Sequence, residues 1–138
     1  MKPKSKIEKR FRRAVKAALE SDFRVQVGCA VYNKGKLITT GASTNKTHPL
    51  QHKFNSYRDF DCNANLCLDK AHAEMIALSR LKSIDIDMKD VTFYVVRLCK
   101  SQPFGLARPC KACLTALRNA GVRRVCYSTQ HGYAEERI

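Results

Sequence analysis

The chain has no apolar run approaching the roughly 18 residues that a membrane span needs. Its first residues, MKPKSKIEKRFRR, carry charge with no apolar stretch behind them, so a secretory leader is not expected. It has no internal repeat and no low-complexity tract. Acid is scarce: 12 Asp and Glu stand against 26 Lys and Arg, a net charge of +14. That balance favours phosphate-bearing partners, either nucleotides or nucleic acid.

What is present suits one globular domain. At 138 residues with 44% hydrophobic side chains the chain is too apolar for disorder. A chain of this length buries about two-thirds of its unfolded surface, enough for a true core. The expected organisation is a single domain over 1–138, with a basic tail at 1–6, a long loop at 43–69 and a short polar tail at 129–138. The seven cysteines are an odd number. Without an export signal they are expected to stay reduced in a cytoplasmic setting, as metal ligands or small core residues.

Periodicity supplies the elements. Ile7, Phe11, Val15, Ala18 and Leu19 predict an amphipathic helix over 7–20 with one very basic face. Val25 to Tyr32 and Leu37 to Ala42 read as strands joined by a turn at 33–36, a hairpin. No period is visible in 43–69, and a loop that long is usually functional. A helix follows at about 70–82, then a continuous apolar strand at 91–96 of the kind buried on both faces. A loop with Pro103, Gly105 and Pro109 leads to a helix at 110–120, stopped by Gly121, and a strand at 122–128. Helices alternating with strands predict one sheet with helices on its faces, an α/β architecture. Four strands are clear from the sequence.

Two helix starts carry the chemistry. One opens His72-Ala73-Glu74 and the other Pro109-Cys110-Lys111-Ala112-Cys113. Cys110 and Cys113 are one helical turn apart, so both sulfurs can face one metal. His72 as a third ligand leaves a fourth position for water, the pattern of a catalytic rather than a closed structural zinc site. Helix N-termini also favour thiolates. Glu74 stands two residues after His72, near enough to reach the bound water without ligating the metal. Alone, the C-x-x-C could be a redox pair or a core-facing turn, and H-x-E a surface accident. Together, in this order, they match the zinc-deaminase signature.

On those residues the chain resembles the cytidine and deoxycytidylate deaminase superfamily. The resemblance implies a three-layer α-β-α sandwich around a mixed sheet of four or five strands. The fifth strand is absent, replaced by the tail, or hidden in 129–138. It implies zinc on His72, Cys110 and Cys113, with Glu74 shuttling protons as water replaces the amine of cytosine or adenine. It also implies contacts from the Ala73 N–H to the base and from Asn45 to the sugar, although Asn45 equally suits a turn. Relatives are commonly homo-oligomers. The interval from Leu98 to Arg108 is longer than in deoxycytidylate deaminases and nearer the free-cytidine branch, whereas His72 stands where that branch usually has Cys.

From Arg97 to Ala134 there are seven Lys or Arg and no Asp or Glu. Arg97, Lys100 and Arg108 flank the metal-bearing loop, and Arg123 and Arg124 precede the last strand. A positive rim of this kind suits a 5′-phosphate or a polynucleotide backbone, with Arg108 as the named candidate; a merely solvated face is the alternative. Lys9, Arg10, Arg12, Arg13 and Lys16 form a second basic patch, whose expected effect is non-specific attraction. In the long loop, His48, His52, Cys62 and Cys67 could hold a second, structural zinc, but their spacing is irregular and ordinary loop roles are favoured. Phe54, Tyr57 and Phe60 could stack on a base or form the loop's own small core. Cys29 and Cys126 read as packing thiols.

The favoured reading is a zinc-dependent deaminase of a cytosine nucleoside or nucleotide such as dCMP. The alternatives are a deaminase acting on cytosine or adenine within RNA or single-stranded DNA, and a non-catalytic zinc-stabilised nucleic-acid module.

Overall fold

The computed structural model describes residues 6–46, 48–54, 71–99 and 104–138. Helix α1 (Lys6–Leu19) leads to the hairpin of β1 (Val27–Asn33) and β2 (Lys36–Ala42). A short helix α2 (Pro49–Phe54) precedes α3 (Ala73–Leu81), and a 3-10 turn (Met88–Asp90) precedes β3 (Val91–Leu98). A two-residue strand β4 (Phe104–Gly105), helix α4 (Lys111–Ala120) and strands β5 (Arg124–Thr129) and β6 (Gly132–Arg137) complete the order.

The strands form one mixed sheet in the order β2-β1-β3-β5-β6, with β4 paired to the end of β3. β3 and β5 run parallel, joined through α4, while the other pairs are antiparallel. The hairpin turn is tight because Lys34 and Gly35 both take positive φ, 50° and 85°, the twist that two-residue hairpins favour. At the far end of α4, Gly121 takes φ 101° and its N–H reaches back to the last helical carbonyls, ending the helix where the sequence predicts.

Alternation along the strands divides the interior in two. Cys29, Val31, Phe93, Val95 and Val125 face a large core closed by α2, α3 and α4. Ala30, Tyr32, Tyr94, Val96 and Cys126 face a smaller one closed by α1 through Phe11 and Ala14. Both helix layers press directly on backbone. A Cβ on Gly28 would collide with the main chain of α1 at Ala14 and Ala18. One on Gly41 would collide with α3 at Ala73 and Ala77. This is the three-layer sandwich that the resemblance implies.

Two expectations are corrected. The 129–138 segment is not a tail: it holds β6, the fifth full strand of the sheet, as the hidden-strand alternative had it. β6 lies at an edge, so most of its residues face water and charge there resists edge-to-edge pairing; its polar composition hid the strand. The 43–69 loop contains α2, which is only six residues long, too short for a helical period to appear. Within it Leu50, Gln51 and Phe54 are buried. Phe54 is thus a core residue, while Tyr57 and Phe60 lie outside the described residues. Smaller shifts occur at element ends: the first strand begins at Val27, and His72 and Cys110 precede their helices as N-caps.

Candidate active site and metal centre

His72 occupies the N-cap of α3, Cys110 the N-cap of α4, and Cys113 stands one turn further on. Nδ1 of His72 is 3.6 Å from Cys110 Sγ and 3.4 Å from Cys113 Sγ. All three ligand atoms fall within 4.8 Å of one another. A zinc ion with ordinary Zn–N and Zn–S lengths and tetrahedral angles sets its nitrogen and sulfur ligands about 3.6 Å apart. The triangle therefore fits zinc both in donor chemistry and in size.

Several side chains hold this triangle in place. Gln51 of α2, fully buried, accepts the backbone N–H of His72 at 3.1 Å. Residue 71 is tied to the segment after β2 by two backbone bonds, Thr44 N–H to Ala71 O and Ala71 N–H to Lys46 O. On the other side Ser128, also fully buried, donates to Gly105 O at 2.8 Å and accepts the N–H of Arg97 at 3.2 Å. Ala107 N–H donates to Ser128 O, so the segment carrying Pro109-Cys110 is tied to the end of the sheet.

Beside the triangle is a cavity of about 310 Å³. Ala73 and Glu74 line it, with Phe23 and Val25 on an apolar wall and Arg24, Arg97 and Arg108 as its cations. Ser43, at the end of β2, closes one side: its hydroxyl donates to Val25 O at 2.8 Å and accepts Val27 N–H at 3.0 Å. Glu74 is 5% exposed. Burial raises its carboxyl above the usual range, partly offset by the charge of His72. The Cys110 thiol is lowered to about 4, chiefly because Cys113 donates to it, while Cys113 is pushed well up. Burial pushes Cys126 up to about 11 and raises Cys29 strongly, as inert packing thiols require.

The structure thus brings together His72, Cys110, Cys113, Glu74 and Ala73, with Arg108 on the cavity wall. Arg108 is not an open cation: Nε and Nη2 bind the two oxygens of Glu136 on β6 at 2.9 and 2.8 Å, and Tyr127 donates to the same carboxylate at 3.0 Å. Asn45 is exposed, donates its backbone N–H to Asp22 Oδ1 at 2.9 Å, and is not among the cavity's lining residues. Its contact with Asp22 is that of a turn residue, and Ser43, two positions earlier, lines the cavity. Arg124 pairs in register with Thr92, five residues along β3 from the cavity residue Arg97, or about 16 Å. Arg123 and Arg124 are therefore not part of the rim. Lys100, Cys62 and Cys67 lie outside the described residues. His48 Nδ1 accepts Leu50 N–H at 3.0 Å, a local turn role, and no second zinc set appears among the described residues.

Gln51, Ser43, Ser128 and Glu136 were not singled out by sequence reasoning. Each stands in a stretch without a motif, and its role depends on partners 16 or more residues away in all but the nine-residue Tyr127 contact.

The family described as the cytidine and deoxycytidylate deaminase zinc-binding region matches residues 4–129. The chain belongs to that family, and it is a zinc-binding hydrolytic deaminase. Among solved structures it is similar to the dCMP deaminase of cyanophage S-TIM5 in apo form. The TM-score is 0.62 and the identity 23%, covering 94% of this chain and 86% of that one. The same enzyme in complex with dCMP and dUMP gives a TM-score of 0.57 at 19% identity, covering 94% and 84%. A cytidine deaminase from Burkholderia pseudomallei gives 0.64 at 15% identity, covering 94% and 91%. At these identities the likeness is one of fold. No curated protein sequence matches the chain. No helix among the described residues is long and apolar enough to cross a membrane.

Proposed function

We propose that this chain is a single-domain deaminase over 1–138 that converts a cytosine nucleotide, with dCMP as the leading candidate, to the uracil nucleotide and ammonia. The observation that carries the reading is the His72–Cys110–Cys113 triangle beside a buried Glu74, in a cavity that also holds Arg24 and Arg97. His72, Cys110 and Cys113 would hold zinc, which supplies a Lewis acid that makes a coordinated water acidic near neutral pH. Glu74 is the proton carrier. Burial raises its carboxyl above the usual range, which favours its taking up a proton, and it can relay the two protons of the attacking water in turn, one to the ring nitrogen and one to the departing amine. The Ala73 N–H stands at the start of α3 beside it, suited to orient the base. The apolar wall of Phe23 and Val25 excludes water around the ring.

A volume of about 310 Å³ suits one nucleotide. The arginines at the cavity offer a 5′-phosphate its counter-charge, with Arg97 better placed than Arg108, whose donors are committed to Glu136. The reading favours cytosine over adenine and a free nucleotide over a polynucleotide. It carries one zinc per chain, a cytoplasmic site of action and a homo-oligomeric state.

The test is to incubate the zinc-loaded protein and its Glu74→Gln variant with dCMP, CMP, deoxycytidine, cytidine and a cytosine-containing single-stranded oligonucleotide, reading uracil by mass spectrometry. Turnover strongest on dCMP and abolished by Glu74→Gln is the expected result. Turnover confined to the oligonucleotide, or none with zinc bound, overturns it.

A further inference from the structure

Among the described residues outside the cavity, a strongly charged and unassigned feature is the solvent side of α1. Lys6, Lys9, Arg13 and Lys16 recur at intervals of three and four, so they share one side of the helix. All four are exposed, and none has an ion-pair partner among the described residues. The row extends about 15 Å from end to end at the helical rise. Like charges at this spacing repel one another, a cost that an anionic partner would relieve.

We propose that this face of α1 docks nucleic acid through its phosphate backbone. The row lies on the exposed side of a single helix, so a small anion would meet only one or two solvated charged groups. A polyanion engages the whole row and gains the entropy of released counterions. A lipid surface fits less well. The apolar side of α1, with Phe11, Ala14, Ala17 and Ala18, is buried against the sheet and cannot enter a bilayer. The chain that leaves α1 at Leu19 passes through Ser21 to Arg24 at the cavity, so a docked strand would lie near the catalytic end without having to be the substrate. This inference is independent of which cytosine compound the cavity takes.

The test uses the full-length zinc protein and a fluorescent single-stranded poly-dT, which offers phosphates but no cytosine. Binding is measured between 50 and 200 mM salt. A second protein carries Lys6→Gln, Lys9→Gln, Arg13→Gln and Lys16→Gln. A charge-matched control carries Lys36→Gln, Lys46→Gln, Lys82→Gln and Lys89→Gln. Four phosphate contacts to single-stranded nucleic acid contribute a salt slope of about −2.8, or about 50-fold in affinity across that range. The expected result is that the α1 variant loses this slope while the control keeps it. Thermal unfolding and zinc content should match in all three, and variants changed only at 6 and 9 or only at 13 and 16 should each lose about half. Equal weakening by the control overturns the proposal, because net charge alone would then suffice. Unchanged binding by the α1 variant, or binding to phosphatidylserine vesicles but not to poly-dT, overturns it as well.

Discussion

The side-chain oxygen of Gln51 accepts the backbone N–H of His72 at 3.1 Å, tying the short helix α2 to a metal ligand at the start of α3. His72 is an N-cap without a side-chain cap bond of its own, so this contact satisfies a donor that the helix cannot. Gln51→Leu should leave that N–H unpaired in a buried place and cost about 1–3 kcal/mol in chemical denaturation. Zinc affinity, measured by competition with a chelator, should fall with it. An unchanged affinity would limit Gln51 to a packing role.

The triangle and its carboxylate should separate cleanly by mutation. His72→Ala, Cys110→Ser and Cys113→Ser should each lose bound zinc, read as metal per chain by native mass spectrometry. Glu74→Gln should keep zinc and lose activity by about 10²–10⁴, the range for a proton-transfer group. Loss of zinc in Glu74→Gln would instead make Glu74 part of the metal-holding structure.

Thiol reactivity should follow the same geometry. In protein stripped of zinc, Cys110, lowered to about 4 by the Cys113 hydrogen bond, should react first with iodoacetamide at neutral pH. Cys126, pushed up to about 11, and Cys29 should react only on unfolding. Added zinc should protect Cys110. Peptide mapping of the alkylated protein reads each site.

The Arg108–Glu136 pair should show a modest, pH-dependent effect. Its side chains are 46% and 28% exposed, so the range for surface pairs applies, about 0–1 kcal/mol, and less at high salt. Arg108 holds the Glu136 carboxyl below its usual range. A carboxyl lowered on folding contributes stability above its unfolded value near 4.3 and loses it as pH falls through the lower folded value. Glu136→Gln should therefore be less stable than the native chain at neutral pH and equal to it in strongly acid buffer, in paired thermal melts.

The two close-packed glycines should differ in their consequences. Gly28→Ala pushes α1 away from β1, whereas Gly41→Ala pushes α3, which carries Glu74 and follows His72. Each should destabilise by at least about 1–3 kcal/mol, as overpacking does. At temperatures where both variants remain folded, Gly41→Ala should lose more activity than Gly28→Ala.

Much of this site was legible in the chain because its chemistry is local. His72 and Glu74 are two residues apart at the start of α3, and Cys110 and Cys113 three apart at the start of α4, so each pair reaches the site on one short stretch of backbone. The apolar runs that became β1 and β3, and the stop at Gly121, were visible for the same reason. β6 was not, because an edge strand in water needs no apolar pattern. Nor was α2, whose six residues are too few for a period and whose reason to be helical is burial of Leu50, Gln51 and Phe54 against other elements.

What the sequence by itself determined was the class of chemistry: which atoms could hold a metal and which carboxyl could move a proton. The tertiary structure decided which other residues serve them. It put Ser43 on the cavity wall and the Asn45 N–H on Asp22, engaged Arg108 with Glu136, and moved Arg123 and Arg124 away from the rim. The division has a physical cause. A motif is set by backbone geometry over one helical turn, whereas a hydrogen bond such as Gln51 to His72 joins residues 21 positions apart and exists only once the whole core has closed around it.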